Sequence, residues 1–353
     1  AYLWHQPVFA FTRLNTSEEL SFTLITFGIF ISFCLAFLTW KYIEQPFRNI
    51  KIISNKVLVF TIASLSAIII IIGFVIYTND GFSKRFSAKE TILLNPPKNT
   101  EVCQLTNYKE ELYRDIYYCN FGNLSNFDKT IIIYGDSHAK VLFKEIEKFF
   151  INKNIKGVFI ENQNCKRFFV IQCIESNNYI KDLINNVKPD KILLNFRWAM
   201  RIFDGADINT SDIFEDFYMY NYESLTQKQI NKKNYLLEFF KTFERNDLLI
   251  VYPTPEFIDP KIVNLKNISN GIAVENIFYD ETEFFRKNQF MIDIFNEASI
   301  PQNRVFVHEI FCSSFIDAKC VAQFNEIPYF ADTNHVSDYG AELIVDQISK
   351  KIK

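Results

Sequence analysis

Two short polar segments, far apart in the chain, carry residue types suited to nucleophilic catalysis. The first is Gly135-Asp136-Ser137, and the second contains Asp332 and His335, three positions apart. A serine hydroxyl is a weak nucleophile that needs a base, and an imidazole whose tautomer is held by a carboxylate is such a base. The order Ser137, Asp332, His335 therefore predicts a catalytic triad.

Serine chemistry of this kind requires the hydroxyl to stand where a strand ends and a helix begins. Thr130–Tyr134 is an apolar, β-branched run that predicts a buried strand, and Lys140–Phe150 has the period of an amphipathic helix. A tight turn at Gly135 would lift the Ser137 hydroxyl to the carboxyl end of that strand. The start of the helix would direct free backbone N–H groups at a developing oxyanion.

The rest of the soluble part repeats this alternation of strand and helix. Five repeats predict an α/β fold of three layers, in which helices cover both faces of a parallel sheet. Reactive residues collect at the carboxyl ends of the strands in such folds. The predicted strands are Thr130–Tyr134, Lys156–Ile160, Lys191–Asn195, Asp247–Tyr252 and Arg304–Val307, and the predicted helices are Lys140–Phe150, Tyr179–Val187, Tyr235–Phe243, Glu281–Phe295 and Ala341–Ile352.

These patterns predict a catalytic domain over residues 130–353. Residues 81–129 contain two cysteines and a Pro-Pro pair without a clear period, which indicates a linker or an extension packed on that domain. Residues 199–230 form a long insertion rich in acidic and aromatic side chains. Contact with a substrate and packing of the insertion onto its own domain both remain open.

Residues 1–80 differ from the rest because charges are confined to short loops. Leu20–Trp40 and Val57–Tyr77 contain no charged residue, and each is long enough to cross a bilayer as a helix. A buried helix of a soluble protein is the alternative for each. Tyr2–Phe11 is apolar but too short to span, and the chain begins with Ala1, so we expect a fragment of a longer protein.

The loop between the two apolar segments sets their predicted orientation, because short loops rich in lysine and arginine stay in the cytoplasm. Its single acidic residue is Glu44, and its basic residues are Lys41, Arg48, Lys51 and Lys56. The second segment would then run outward. This orientation places everything after Asn79 outside the cytoplasm.

The cysteines agree with that orientation. Cys34 lies within an apolar segment, and the other six all follow the second one. An even number of cysteines in an exported domain indicates disulfides, whereas free buried thiols would indicate a cytosolic domain. Six cysteines can pair in many ways, and we favour sequence neighbours: Cys103 with Cys119, Cys165 with Cys173, and Cys312 with Cys320.

Charge and metal-ligand spacing narrow the class of partner. A net charge of −3 over 353 residues argues against a nucleic-acid partner. The cysteine and histidine spacings fit no zinc site, and no glycine-rich phosphate loop is present, so no metal is expected.

The motifs resemble those of a known family. Gly135–Ala139 and Asp332–Ala341 are similar to the first and last sequence blocks of SGNH esterases, and more narrowly to the branch fused to membrane acyltransferase-3 proteins, which O-acetylate bacterial surface glycans. Tyr2–Pro7 and Tyr42–Arg48 resemble the closing motifs of that membrane domain, and Asp80–Phe86 resembles the segment after its extra span.

The resemblance implies a role for each residue of the two motifs. Ser137 would be the nucleophile, His335 the general base and acid, and Asp332 the carboxylate that orients it. The glycine that donates an oxyanion N–H in many members is missing near Asn162–Cys165. The usual Gly-x-Asn-Asp block is replaced by a segment whose candidate oxyanion or substrate residues are Asn195, Arg197 and Trp198, unless Asn195 and Arg197 simply end a strand.

Three further polar residues near the predicted strand ends are secondary candidates. His138 belongs to the first motif and is expected to shape the turn, and His308 is expected to be structural. Glu256 follows a strand and is a candidate for the rim of the site.

The resemblance also implies a function. It is an O-acetyltransferase that uses an acyl-serine intermediate and acts on lipopolysaccharide O-antigen or lipooligosaccharide. The protein would be a multi-pass inner-membrane protein with its C-terminal domain in the periplasm. This chain would bind no cofactor itself, and acetyl-CoA would donate through the missing membrane domain. A periplasmic carbohydrate acetylesterase and a glycan-binding module with an inactive triad are the alternatives.

Overall fold

A computed structural model describes residues 2–15, 21–48, 54–107, 116–162, 180–199, 224–241, 243, 248–299 and 301–352. The chain divides into two compact units. One consists of Ala1–Leu94 with Ile262–Val274, and the other of Asn95–Lys261 with Glu275–Lys353.

The first unit contains two helices whose length and composition would allow them to cross a membrane. They are Phe22–Arg48 and Lys56–Thr78, close to the predicted segments. The side-chain hydroxyls of Ser21 and Ser54 accept backbone N–H groups at the two helix starts. The apolar window of Lys56–Thr78 has no buried residue, so this helix is not a core helix of the described chain. Exposed apolar surface of this extent favours a hydrocarbon environment.

A shorter helix, Tyr2–Asn15, packs against the first of these long helices. The Trp4 indole N–H donates to the Thr39 hydroxyl at 2.7 Å. The Phe9 ring lies against Gly28, where an added Cβ would come within 3.1 Å of it. The missing side chain at Gly28 therefore lets the two helices approach closely.

The second unit is built on a seven-stranded sheet in the order β1-β2-β4-β3-β5-β6-β8. From β4 to β8 the strands are parallel, and they include all five predicted strands. The α/β class is therefore confirmed. The bounds are β1 Thr106–Asn107, β2 Ile116–Gly122, β3 Lys129–Gly135, β4 Ile155–Asn162, β5 Lys191–Asn195, β6 Leu248–Val251 and β8 Arg304–Val305.

Helices cover both faces of this sheet. Ile131, Ile132, Ile133 and Tyr134 of β3 are all fully buried, and successive side chains of a strand point to opposite faces. Each such buried side chain stabilises the fold by about 1.5–3 kcal/mol. The α-helices described in this unit are Ser137–Asn152, residues 180–187, Gln227–Lys241, Glu281–Ala298, Val307–Phe311 and Asp338–Lys351, whereas most of the helix Pro260–Ser269 counts with the first unit.

Several elements differ from their predicted bounds by a few residues, and two of these differences have a local cause. The helix predicted at Tyr235–Phe243 begins at Gln227. Thr226 and Gln229 form a capping box, in which each side chain accepts the other residue's backbone N–H, at 3.3 and 2.8 Å. The last predicted strand ends at Val305, because a helix already begins at Val307.

The segment 81–129, predicted as linker or extension, contributes β1 and β2 to the edge of the sheet. β2 pairs antiparallel with β4 over its whole length, so this part of the segment is a regular part of the sheet. A disulfide between Cys103 and Cys119 fastens it there. The predicted boundary at residue 130 therefore separates β2 from the strand with which it pairs.

A second, three-stranded sheet was not predicted. Its order is β10-β9-β7, with β7 Ile277–Asp280, β9 Lys319–Phe324 and β10 Ile327–Pro328. The disulfide between Cys312 and Cys320 joins β9 to the preceding segment. Two of the three predicted disulfides are thus present, and the predicted Cys165–Cys173 pair lies outside the described residues.

The turn after β3 depends on a glycine. A Cβ at Gly135 would lie 2.2 Å from the carbonyl oxygen of Asn195 in β5 and 2.4 Å from the Ala139 side chain. Both neighbours belong to regular elements, so neither can move without separating β3 from β5 or from the following helix. The close approach of strand, turn and helix therefore requires the absence of a side chain here.

We expect Gly135→Ala to destabilise the second unit by at least about 2 kcal/mol, because the added methyl overpacks a backbone contact. Denaturant unfolding followed by tryptophan fluorescence measures this. Gly73→Ala is the matched control, because a Cβ there meets nothing within 4 Å. Equal stability of the Gly135→Ala variant and the unaltered chain would contradict the described turn.

His308 is buried among aromatic rings. Its ring stacks on Phe284 with centroids 5.2 Å apart and meets Phe285 and Phe306 edge-on. Its Nδ1 has no hydrogen-bond partner in the described part of the chain. Burial lowers the pKa of His308 to about 4, although Glu281 opposes the shift. The folded chain therefore keeps this imidazole neutral.

The depressed pKa of His308 predicts a loss of stability in mild acid. Below the ordinary value of 6.5 the unfolded chain binds the proton and the folded chain does not, so stability falls as the pH drops from 6.5 towards about 4. At pH 5 the loss is about 2 kcal/mol. We expect His308→Leu to reduce the stability difference between pH 7.5 and pH 5 by this amount in denaturant unfolding. An unchanged difference would mean that the buried imidazole is already protonated or reaches water.

Candidate active site

The Ser137 hydroxyl stands at the carboxyl end of β3, on the first residue of the helix Ser137–Asn152. Asp136 caps that helix by accepting the backbone N–H of His138 at 3.0 Å. The same carboxylate accepts the backbone N–H of Arg197 at 3.1 and 3.2 Å. Asp136 therefore ties the turn that carries Ser137 to the chain after β5.

The imidazole of His335 lies directly against this serine. Its Nε2 is 2.8 Å from the Ser137 Oγ. Its Nδ1 is 2.9 and 3.0 Å from the two carboxylate oxygens of Asp332. With the proton on Nδ1 donated to Asp332, Nε2 is left to accept the Ser137 hydroxyl proton.

The spacing of three residues between Asp332 and His335 has a local structural cause. The Asp332 carboxylate turns back on its own loop and accepts the backbone N–H groups of Asn334 at 3.1 Å and His335 at 2.8 Å. The His335 carbonyl accepts the N–H of Ala331 at 2.8 Å and closes the turn. One carboxylate thus orients both the backbone and the ring of His335.

Lys98, which sequence reasoning missed, completes the surroundings of this carboxylate. Its Nζ donates to the Asp332 Oδ2 at 2.8 Å. Partial burial raises the pKa of Asp332, but the hydrogen bonds from His335 and Lys98 outweigh it and hold that pKa well below its usual range. Asp332 is therefore ionised at any physiological pH. No local motif marks Lys98, because it lies 234 positions from its partner.

His138 connects the helix that begins at Ser137 to the loop that carries His335. Its Nε2 is 3.2 Å from the Asn334 side-chain oxygen, and its ring centroid is 5.1 Å from that of His335. Burial lowers the pKa of His138 to about 4, opposed by the charge of Asp136. His138 is therefore a neutral hydrogen-bonding group that holds the His335 loop against the serine helix.

The three residues predicted as oxyanion or substrate groups all have other partners. The Asn195 side chain is 3% exposed and donates to the His138 carbonyl at 3.0 Å. The Arg197 guanidinium makes two hydrogen bonds, 3.0 and 2.9 Å long, to Glu256. The buried Trp198 donates its indole N–H to the Val251 carbonyl at 2.7 Å. These hydrogen bonds tie Asn195 and Trp198 to neighbouring backbone and pair the Arg197 guanidinium with Glu256, the predicted rim residue.

One group does suit a developing oxyanion. The backbone N–H of Ser137 is at the first position of a helix, where no carbonyl of the preceding turn can accept it. It has no hydrogen-bond partner among the described residues. The positive end of the helix dipole adds to its field. A second donor after β4 would fall in residues 163–179, outside the described parts.

The described residues include no group of three or more histidine, cysteine, aspartate or glutamate side chains that could hold a metal ion. What the site does hold is a partly exposed serine hydroxyl, a base bonded to it and an ionised carboxylate. This set of groups can perform acyl transfer through serine.

Comparison with known proteins gives one matching family and several similar solved structures, two of which are described here. Residues 102–350 match the family described as an SGNH domain fused to AT3 domains. No curated protein matches the chain. The periplasmic domain of a lipopolysaccharide acetyltransferase of Salmonella ser. Paratyphi A is similar at 16% identity, covering 65% of this chain and 86% of that one, with a TM-score of 0.45. A lipase/acylhydrolase of Enterococcus faecalis is similar at 12% identity, covering 64% and 95%, with a TM-score of 0.36.

The family match spans more than half of the chain and includes both motifs, from the segment before β1 to the end of the last helix. It also includes β1 and β2, which the sequence analysis had assigned to a linker or extension. This chain belongs to the family of SGNH domains that are fused to AT3 domains.

Proposed function

We propose that this chain is the C-terminal part of a membrane O-acyltransferase that moves an acetyl group through Ser137 to a hydroxyl of an extracytoplasmic bacterial glycan. The favoured acceptor is lipopolysaccharide O-antigen or lipooligosaccharide. The observation that carries the proposal is the line of hydrogen bonds from the Ser137 Oγ through His335 to Asp332, with a Ser137–His335 distance of 2.8 Å. Membership of a family fused to AT3 domains supports acyl chemistry at this site.

In the first half-reaction the acetyl group passes to the serine. As the Ser137 Oγ attacks the acetyl carbonyl carbon, the hydroxyl proton moves to the His335 Nε2, and a tetrahedral oxyanion forms. The backbone N–H of Ser137 stabilises that oxyanion. When the intermediate collapses, the bond to the leaving group breaks, and His335 returns the proton to it. We propose acetyl-CoA as the ultimate donor, through a membrane domain that precedes this chain.

In the second half-reaction the acetyl group leaves the serine. A glycan hydroxyl gives its proton to His335 and attacks the carbonyl carbon of acetyl-Ser137. The second tetrahedral intermediate expels the Ser137 oxygen, which recovers a proton from His335. Throughout, Asp332 stays ionised and compensates the positive charge on the imidazole.

A carbohydrate acetylesterase is the second candidate, and one observation favours it. Ser137 is exposed in the described structure, so water can reach the acyl-serine. Transfer instead requires the glycan to exclude or outcompete water at this stage. The two reactions share the same first half and differ only in the group that attacks acetyl-Ser137.

The proposed location is the inner membrane, with the SGNH domain in the periplasm. Two helices long and apolar enough to span support it, as does the excess of basic residues between them. The two disulfides of the second unit also favour an oxidising compartment.

We expect Ser137→Ala to abolish glycan acetylation in cells that carry the full-length gene, because the acyl acceptor is removed. The rate falls by about 10⁴-fold or more. Mass spectrometry of the surface glycan measures this, with Ser125→Ala in an exposed loop as the control. A rise in acetylation would identify an esterase. Unchanged acetylation with glycan still bound would contradict both enzymatic candidates and leave a binding module.

We expect alkaline phosphatase fused after Lys353 to be active and the same enzyme fused after Arg48 to be inactive, because its disulfides form only outside the cytoplasm. Phosphatase activity of intact cells, normalised to fusion protein, measures this. The reverse result would place the SGNH domain in the cytoplasm.

A further inference from the structure

Lys98 lies in a segment without regular secondary structure, Asn95–Cys103, that belongs to neither motif of the site. The Lys98 side chain is about three-quarters buried, and its ammonium donates to the Asp332 Oδ2 at 2.8 Å. Among the described residues it is the one side-chain cation that contacts this carboxylate, apart from His335 when protonated. Neither of the two proposed half-reactions uses Lys98 directly.

The segment Asn95–Cys103 is held in place by contacts on both sides of the site. The Pro97 carbonyl accepts the N–H of Asp338, which begins the helix after His335. The Asn99 amide donates at 2.8 Å to the Lys140 carbonyl, in the helix that begins with Ser137. Further along, Cys103 is bonded to Cys119 of β2. The backbone that carries Lys98 is therefore fixed to the element of the nucleophile and to the element of the base.

Lys98 and His335 share the two oxygens of Asp332. Oδ1 accepts the backbone N–H groups of Asn334 and His335 and contacts the ring Nδ1, whereas Oδ2 accepts Lys98. If the ammonium were removed, Oδ2 would keep only its 3.0 Å contact with the imidazole. The carboxylate would then be held mainly through Oδ1 and would resist less a rotation about its Cβ–Cγ bond, away from the orientation that aims Nε2 at the serine.

The ammonium also affects the charge of the base. A positive charge on Lys98 beside Asp332 weakens the attraction of that carboxylate for a protonated imidazole. The other groups that face this pair from neighbouring elements are His138, which is neutral through burial, and the Asp136 and Arg197 charges that surround His138. Removing Lys98 therefore strengthens the attraction of Asp332 for a protonated imidazole.

We propose that Lys98 is a positioning residue of the acyl-transfer site, which holds Asp332 so that the His335 imidazole stays directed at Ser137, and whose charge limits the attraction of Asp332 for a protonated imidazole. The inference rests on the proposed function, because it assigns Lys98 a part in the same proton transfer. Lys98 touches neither the acyl group nor the reacting oxygen, and it acts only through Asp332.

The test compares three variants of the chain, purified in detergent, in their reaction with p-nitrophenyl acetate from pH 5 to 9. Lys98→Met keeps the aliphatic stem and removes the charge, and Lys98→Arg keeps the charge. Lys144→Met is the matched control: Lys144 lies on the serine helix and pairs with Asp338 at 2.6 Å, without touching Asp332.

We expect kcat/KM of Lys98→Met to fall about tenfold, and the midpoint of its acid limb to move up by about half to one pH unit. Lys98→Arg should recover the midpoint, and Lys144→Met should match the unaltered chain. An acid limb that does not move in Lys98→Met, or that moves equally in Lys144→Met, overturns the proposal.

A second measurement separates this proposal from the proposed function. Nitrogen NMR of the His335 imidazole follows its protonation without any turnover. If the unaltered chain fails to acylate Ser137, the proposed function fails. The Lys98 proposal then stands if the titration of His335 still moves up in Lys98→Met, and falls if it does not.

Discussion

The hydrogen bond between Ser137 and His335 joins residues 198 positions apart, and the rest of the second unit is arranged around it. At 2.8 Å it tolerates little displacement of either partner. β3 brings the serine to the edge of the sheet, and Gly135 lets the following helix start there. On the opposite side the Asp332 loop sets the imidazole, while His138 and Asn334 hold the two sides together. The sheet, the turn and the loop must therefore all be correctly placed before Ser137 and His335 can meet.

Sequence reasoning succeeded where a local pattern decides the structure. β3 to β6 are short apolar runs buried on both faces, and such runs are recognisable without knowing their neighbours. β1 and β2 were not predicted, because an antiparallel strand near the edge of a sheet, such as Ile116–Gly122, is only partly buried and shows no clean alternation. The small sheet of β7, β9 and β10 has equally short strands. Their pairing depends on contacts between distant segments, which periodicity does not reveal.

At the site, too, sequence reasoning succeeded where a local pattern decides the structure and failed where distant segments meet. Ser137, Asp332 and His335 were predicted from the turn and the loop on which they lie, and the structure brings the three side chains together, whereas their catalytic role stays a prediction. The contacts of Asn195 and Trp198 were not foreseen, because a strand end looks alike whether its side chains face a substrate or brace the turn. Lys98 could not be predicted at all, because it reaches Asp332, 234 positions away, only through the path of the chain in the folded domain.

His138 is buried and neutral, and this affects where the proton of the Ser137 hydroxyl can go. Two imidazole rings lie side by side, with centroids 5.1 Å apart, yet burial lowers the pKa of His138 to about 4, so this ring is neutral at neutral pH. We therefore expect a proton taken from the serine to stay on His335 and not to pass to His138. There it lies beside the exposed Ser137, where an incoming alcohol or a departing group can collect it.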